Sequence, residues 1–461
     1  KIEEKEFEVP KDTEVIDAKG MTLTPGWIDV HSHMGVYPSP SVDAHMDGNE
    51  MVTANTAHVW AEHGFWPQDP DLWRAQAGGI TTIQVLPGSG NLIGGRTFIA
   101  KLIPKISARE MRFPGAKQGL KMACGENPKR VYNGKELMTR MGNVAAYRKF
   151  FQKAIEYERK WQNAKKGKLP DRDLTLETLV GVLKGDILLH FHCYRADDIS
   201  AILDVAKEFG FKIKAIHHGL EAYKLADRLA KENVGVATWA DWWGFKAEAY
   251  DGIPYNIALL EQAGGKPIVH SDSSVDVRYL NVEAGKALAS AKKLGLSFTE
   301  DQAMAWVTKN AAWALELEDK IGTLEEGKMA DVVVWDNHPL SIYAKAQMVF
   351  INGKKVFDRQ QKERIRSDFE VGVHDMAFYD VRDFKTSPEA QSMNWPATSQ
   401  ELQQQVDTDF VIEKAKTFIQ GAWKDNTTVV VRDGKVSELD PANLPKGLTV
   451  VNGEGLYLTP G

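Results

Sequence analysis

Pro25-Gly26-Trp27-Ile28-Asp29-Val30-His31-Ser32-His33 is the stretch that decides how this chain is read. Thr24-Pro25-Gly26 is a turn signal, and Trp27 to Val30 is a brief, mainly apolar run suited to a buried parallel strand. His31 and His33 follow it directly. On an extended backbone, positions two apart face the same side, so both imidazoles project together and two nitrogens can meet one metal ion. A single HxH pair is weak, because a histidine at a strand end is more often a satisfied packing residue.

Upstream, Lys1 to Gly26 reads as short strands. Downstream, Ser41 to Pro70 is polar, aromatic and rich in histidine, which predicts a long loop with short helices. Strand-like runs then alternate with helical ones. The strands are expected at Thr81–Leu86, Gly119–Cys124, Ile187–Phe191, Lys212–Ile216, Val234–Thr238 and Pro267–Val269. Amphipathic stretches lie between them at Asn143–Lys166, Ala196–Phe209 and Ala222–Glu232, with Asp301–Leu317 as the last helix. Such alternation predicts a parallel sheet with crossover helices. Gly327–Trp335 and Ala346–Phe357 return to strand character around the hairpin signal Asn352-Gly353, so strands flank the alternating segment on both sides.

The nonapeptide at 25–33 resembles the first-strand signature of the amidohydrolase superfamily, and further resemblances follow in that family's order. Gly119 to Pro128 resembles the segment of imidazolonepropionase-like members in which a glutamate, here Glu126, holds the bridging position that a carboxylated lysine takes in other branches. His190-Phe191-His192 resembles the strand-5 motif, with His192 as ligand. Ile216-His217-His218 resembles the strand-6 motif, with His218 as ligand. Ile268 to Ser273 resembles the strand-8 motif, whose aspartate, here Asp272, is both ligand and proton shuttle. His190, His217 and His270 are left as packed or supporting neighbours.

The resemblance covers Val15 to about Phe357. It implies a (β/α)8 barrel over 25–319, with a small flanking β-sandwich from 1–24 and 320–363, and a C-terminal extension over 364–461. The expected metal ligands are His31, His33, Glu126, His192, His218 and Asp272, with Asp272 also catalytic. Nitrogen-rich ligation suits one or two divalent ions, zinc foremost, over calcium or magnesium. The implied activity is metal-dependent hydrolysis of an amide-type C–N bond in a peptide, N-acyl amino acid or cyclic amide. A ring-amidine deaminase and a non-catalytic metal-binding half of a tandem protein are the competing readings.

Tyr194 and Arg195, just past His192, are expected at the substrate, with Arg195 suited to a carboxylate. Trp239, Trp242, Trp243 and Lys246 could wall the pocket. Gly88 to Gly95 lacks the Gly-Lys-Ser/Thr ending of a phosphate loop and reads as a tight active-site loop.

Among 461 residues, 43% are hydrophobic and the formal net charge is −6. That is enough for a large core, and the charge argues against nucleic acid, whose phosphates need clustered Lys and Arg. No apolar run approaches a membrane span, and no signal-peptide pattern opens Lys1 to Glu8. Compartment stays open, with a lean toward the bacterial periplasm by resemblance alone. Cys124 and Cys193 read as two free buried thiols, an isolated disulfide being the other possibility. Val450 to Gly461 lines up with Val15 to Gly26 and shares the ending Leu-Thr-Pro-Gly, so a second amidohydrolase module is an expected partner, beside a small-molecule substrate and further copies of the chain in a homo-oligomer.

Overall fold

The computed structural model describes residues 13–165, 168–361, 410–419, 422–432, 435–452 and 457–458. The chain separates into two compact units, Lys1–Phe378 and Tyr379–Gly461.

The first unit is mixed α/β. Its strands run β1 (Thr22–Pro25), β2 (Trp27–Ser32), β3 (Ile80–Val85), β4 (Ile93–Arg96), β5 (Phe98–Lys101), β6 (Gly119–Ala123), β7 (Leu188–Cys193), β8 (Ile213–His218), β9 (Gly235–Thr238), β10 (Lys266–Val269), β11 (Val332–Trp335), β12 (Ala346–Ile351) and β13 (Lys354–Asp358). From β6 to β10 each strand pairs in parallel with the next, and β4 closes that sheet antiparallel to β6. A second sheet pairs β2 in parallel with β3, and β3 antiparallel with β5. Three bonds tie its β2 to the residues after β10: the Asp272 amide donates to His31 O at 3.0 Å, and the Ser271 amide and hydroxyl donate to Asp29 Oδ1 and Oδ2 at 3.2 and 2.5 Å. The strand runs expected from apolar patterning are present, with bounds moved by a residue or two.

Helices cover the outer faces of these strands. Ala196–Phe209 shows why they form: Ile199, Ile202, Leu203 and Ala206 repeat at helical spacing and are buried, Asp197 and Asp198 sit in the first turn, and Gly210 ends the helix in the left-handed region (φ 77°). The long helix Arg140–Gln162 starts on the Thr139 hydroxyl, which accepts from the Gly142 amide. The expected last helix is two, Glu300–Val307 and Lys309–Ala314, because Thr308 leaves helical geometry (φ −128°, ψ −84°).

Both flanks meet in one antiparallel sheet ordered β1-β11-β12-β13. Trp27 and Trp335 pack with ring centres 5.2 Å apart, and both indole N–H groups donate to Thr24 Oγ1.

The cysteine expectation is corrected. Cys124 and Cys193 form a disulfide, their Cα atoms 5.3 Å apart. The register of β6 on β7 sets Ala123 beside His192, so the next residue on each strand is Cys124 beside Cys193. Pairing register decides this, and it cannot be seen in the sequence.

The second unit contains β14 (Phe410–Ile419), β15 (Ala422–Arg432), β16 (Lys435–Leu439), β17 (Thr449–Asn452) and β18 (Tyr457–Leu458) in one sheet. Within the repeat, β18 falls where Thr22-Leu23 of β1 falls; its ending Thr459-Pro460-Gly461, the opening segment 1–12 and all of 362–409 lie outside the described residues. No helix among the described residues is long and apolar enough to cross a membrane.

Candidate metal centre

The site collects at the carboxyl ends of β2, β7, β8 and β10, where the chain leaves each strand and side chains can converge. His31 is fully buried; its Nε2 lies 3.3 Å from Asp272 Oδ1, and His33 Nε2 lies 3.1 Å from the same oxygen. His33 Nδ1 is bonded to Leu86 O at 2.8 Å. A carbonyl only accepts, so His33 carries its proton on Nδ1 and leaves Nε2 free. His31, His33 and Asp272 each offer one ligand atom to a common point, as do His31, His218 and His270.

His218 Nε2 is 3.9 Å from Asp272 Oδ2, and its ring lies 4.5 Å from that of His192. Two of these residues hold unusual backbone: His218 has φ 72° and Asp272 φ 52°. A non-glycine side chain in the left-handed region costs energy, and such strain gathers where a side chain must be aimed.

The electrostatics keep the imidazoles neutral. Burial drives His31, His192 and His218 far below the usual histidine range, and His270 down to about 3. Burial pushes the Asp272 carboxyl up, and the positive charge of the buried Lys121 pulls it down. Neutral imidazoles around one carboxylate are the donor set of a divalent ion of borderline softness. The fit has an independent sign: His192 Nδ1, His218 Nδ1 and both nitrogens of His270 are buried without a hydrogen-bond partner among the described residues. Unpaired buried nitrogens are costly, and coordination removes the cost.

Glu126 stands elsewhere. It opens the short helix Glu126–Val131, its side chain is 31% exposed, and its carboxylate pairs with Lys246 Nζ at 3.2 Å. It belongs to neither cluster of converging ligand atoms. Gly125 before it has φ 74°, and a Cβ there would fall 2.6 Å from Glu248 Oε1, the atom that accepts the Glu126 amide. The turn that turns the chain out of β6 thus requires glycine.

The group that sequence reasoning missed is Lys121 on β6. It is 1% exposed, its Nζ lies 3.3 Å from His31 Nε2, and burial lowers its pKa to about 8 against the pull of Asp272. Within Gly119-Leu120-Lys121-Met122-Ala123 it reads as an ordinary strand lysine; only the inward parity shared with Gly119 and Ala123 hinted otherwise. Asp29 was also passed over: its carboxyl, raised to about 6 by burial, accepts from the amides of His31 and Ser271 and so joins the carboxyl ends of β2 and β10.

Of the substrate candidates, Tyr194 is buried and stacks on His218 (5.1 Å, 18°), and Trp239 also stacks on that ring (4.6 Å, 19°). A cavity of 470 Å³ walled by Tyr194, Trp239, Trp242, Trp243 and Phe245 opens on Asp272. Lys246 Nζ lies 4.0 Å over the Tyr194 ring. Arg195 is held by both oxygens of Asp197 (2.9 and 2.8 Å). A larger cavity of 1030 Å³ lies at the amino ends of β7, β8 and β9 and has no histidine in its walls.

Comparison with known proteins now decides the family. The crystal structure of an amidohydrolase from Thermotoga maritima superposes with a TM-score of 0.72 at 36% identity, over 78% of this chain and 92% of that one. The chain belongs to the amidohydrolase family. The model of the Amidohydrolase family matches residues 164–357 of this amidohydrolase. It is 34% identical over 378 residues to the amidohydrolase tasK of Hapsidospora irregularis, covering 76% of this chain but 38% of that protein. It is 25% identical over 366 residues to an imidazolonepropionase of Mesorhizobium japonicum, covering 70% of this chain and 80% of that one. The amidohydrolase thus spans well under half of the tasK protein.

Proposed function

We propose that this amidohydrolase is a metal-dependent hydrolase of an amide-type C–N bond, working at the mouth of a closed (β/α)8 barrel. The observation that carries the reading is the convergence of His31 Nε2 and His33 Nε2 on Asp272, beside the unpaired nitrogens of His192, His218 and His270. His31, His33 and Asp272 would hold the ion, with His192 and His218 completing the centre; zinc fits this donor set best. A bound ion would supply Lewis acidity, polarising the scissile carbonyl and acidifying water at neutral pH. Asp272 would take the proton of the attacking water and deliver it to the leaving nitrogen.

The ring-lined cavity on Asp272 supports a substrate with an apolar or aromatic acyl or side-chain group lying against Tyr194 and Trp239. N-acyl amino acids, dipeptides and cyclic amides of that kind are the compounds to screen. Arg195, already paired with Asp197, is not assigned a substrate carboxylate.

A second reading concerns the bridging group. Lys121 is buried beside His31 whereas Glu126 pairs with Lys246, which favours Lys121, carboxylated by carbon dioxide with loss of one proton, over Glu126. The Leu-Thr-Pro-Gly repeat, together with the partial coverage of the tasK protein, favours a second module.

The test is elemental analysis of the purified protein combined with turnover of Asp272→Asn. Bound transition metal, turnover of an aromatic N-acyl amino acid or cyclic amide by the wild type, and its loss in a metal-retaining Asp272→Asn would support the reading. Absence of bound metal after reconstitution would overturn it in favour of a non-catalytic half, and release of ammonia from a ring amidine would favour deamination.

A further inference from the structure

Three of the imidazoles at this site are hydrogen-bonded in series. His31 Nδ1 lies 2.9 Å from His217 Nδ1, and His217 Nε2 lies 2.9 Å from His190 Nδ1. All three residues are 0% exposed. A neutral imidazole has one N–H and one lone pair, so each ring-to-ring contact needs a donor facing an acceptor. One contact therefore dictates the other, and only two arrangements satisfy both. In the first, the protons sit on His31 Nδ1, His217 Nε2 and His190 Nε2. In the second, they sit on His31 Nε2, His217 Nδ1 and His190 Nδ1.

The arrangements differ in what they present to Asp272. The first leaves a lone pair on His31 Nε2, the atom 3.3 Å from Asp272 Oδ1; the second covers it with a proton. We infer that His217 and His190 are positioning residues that fix the tautomer of His31, holding its Nε2 lone pair toward a metal ion beside Asp272. The inference rests on reading His31 as a ligand. His33 needs no such device, because Leu86 O sets its tautomer permanently. His31 instead faces another imidazole, so its state is transmitted inward.

The near end of the series suits the first arrangement: a protonated Lys121, its Nζ 3.3 Å from His31 Nε2, can donate only to a lone pair there. His190 Nε2 and Gln84 Oε1 are both buried without a partner among the described residues. Both side chains border the space that Gly119 leaves: a Cβ on Gly119 would lie 2.9 Å from His190 Cδ2 and 3.1 Å from Gln84 Nε2. Neither His190 Nε2 nor Gln84 Oε1 reaches a partner among the described residues, so the far end does not choose between the arrangements.

The test is long-range proton–nitrogen correlation spectroscopy of histidine-labelled protein, without metal and loaded with zinc. The expected zinc-loaded spectrum has the pyrrole-type nitrogen at Nδ1 of His31 and at Nε2 of both His217 and His190. Zinc bound at His31 Nε2 with the proton of His217 or His190 on Nδ1 would overturn the relay while leaving the metal reading intact. No perturbation of His31 or His33 by zinc would overturn both. Competition with a chelator adds a second readout. His217→Leu should weaken zinc binding by about 10- to 100-fold. His190→Leu should also weaken it and release the His31 tautomer, whereas His190→Asn, which keeps an acceptor near the Nδ1 position, should restore both; equal behaviour of the two His190 variants would count against the relay.

Discussion

Lys121 and Glu126 make the sharpest contrast at the level of single residues. Both follow from the same short stretch, yet the lysine is buried against His31 and the glutamate is in an ion pair near the surface. If the glutamate bridged metals, Glu126→Gln would lower metal content; the geometry predicts near wild-type content for Glu126→Gln and a marked loss for Lys121→Met, read by elemental analysis of both variants. The histidines were legible in the sequence because each closes an apolar run, which fixes its place at a strand end. Lys121 was not, because a long amphipathic side chain in a strand usually carries its charge out to water. Which of two adjacent histidines faces inward was equally hidden: His217 and His218 are both buried, and both interact with His31.

At the level of elements, apolar runs of strand length located β6 to β10 well, since parallel strands buried on both faces need uninterrupted apolar sequence. Register was not legible, and with it the disulfide. Cys124 and Cys193 staple the ends of two strands that carry Lys121 and His192, closing a loop over a sequence separation of 69. A double variant with alanine at both positions is expected to lose about 2–4 kcal/mol of stability, seen as a lower denaturant midpoint. An unchanged midpoint would mean that the link contributes nothing to holding β6 on β7. The split of the last helix at Thr308 also escaped sequence reading, because the apolar periodicity of Ala303, Trp306, Val307, Ala311 and Ala314 continues through it.

Across the first unit, the strands that flank the segment between β2 and β10 are fastened to it by a buried ion pair. Lys101 at the end of β5 donates to Asp331, just ahead of β11, at 2.9 Å, with both side chains at most 3% exposed. Lys101→Ala would strand a buried carboxylate whose other oxygen already lacks a partner among the described residues. The expected cost is about 3–5 kcal/mol, and the double variant Lys101→Ala/Asp331→Ala should lose less than the two single losses added together, in equilibrium unfolding. The pairing of β1 with β11 carries a consequence of its own. Because Pro25 sits opposite Val332, the segment bearing every proposed ligand begins and finishes at a single latch, so its two ends cannot fray independently: whatever loosens the small sheet slackens the first and last turns of that segment in the same event.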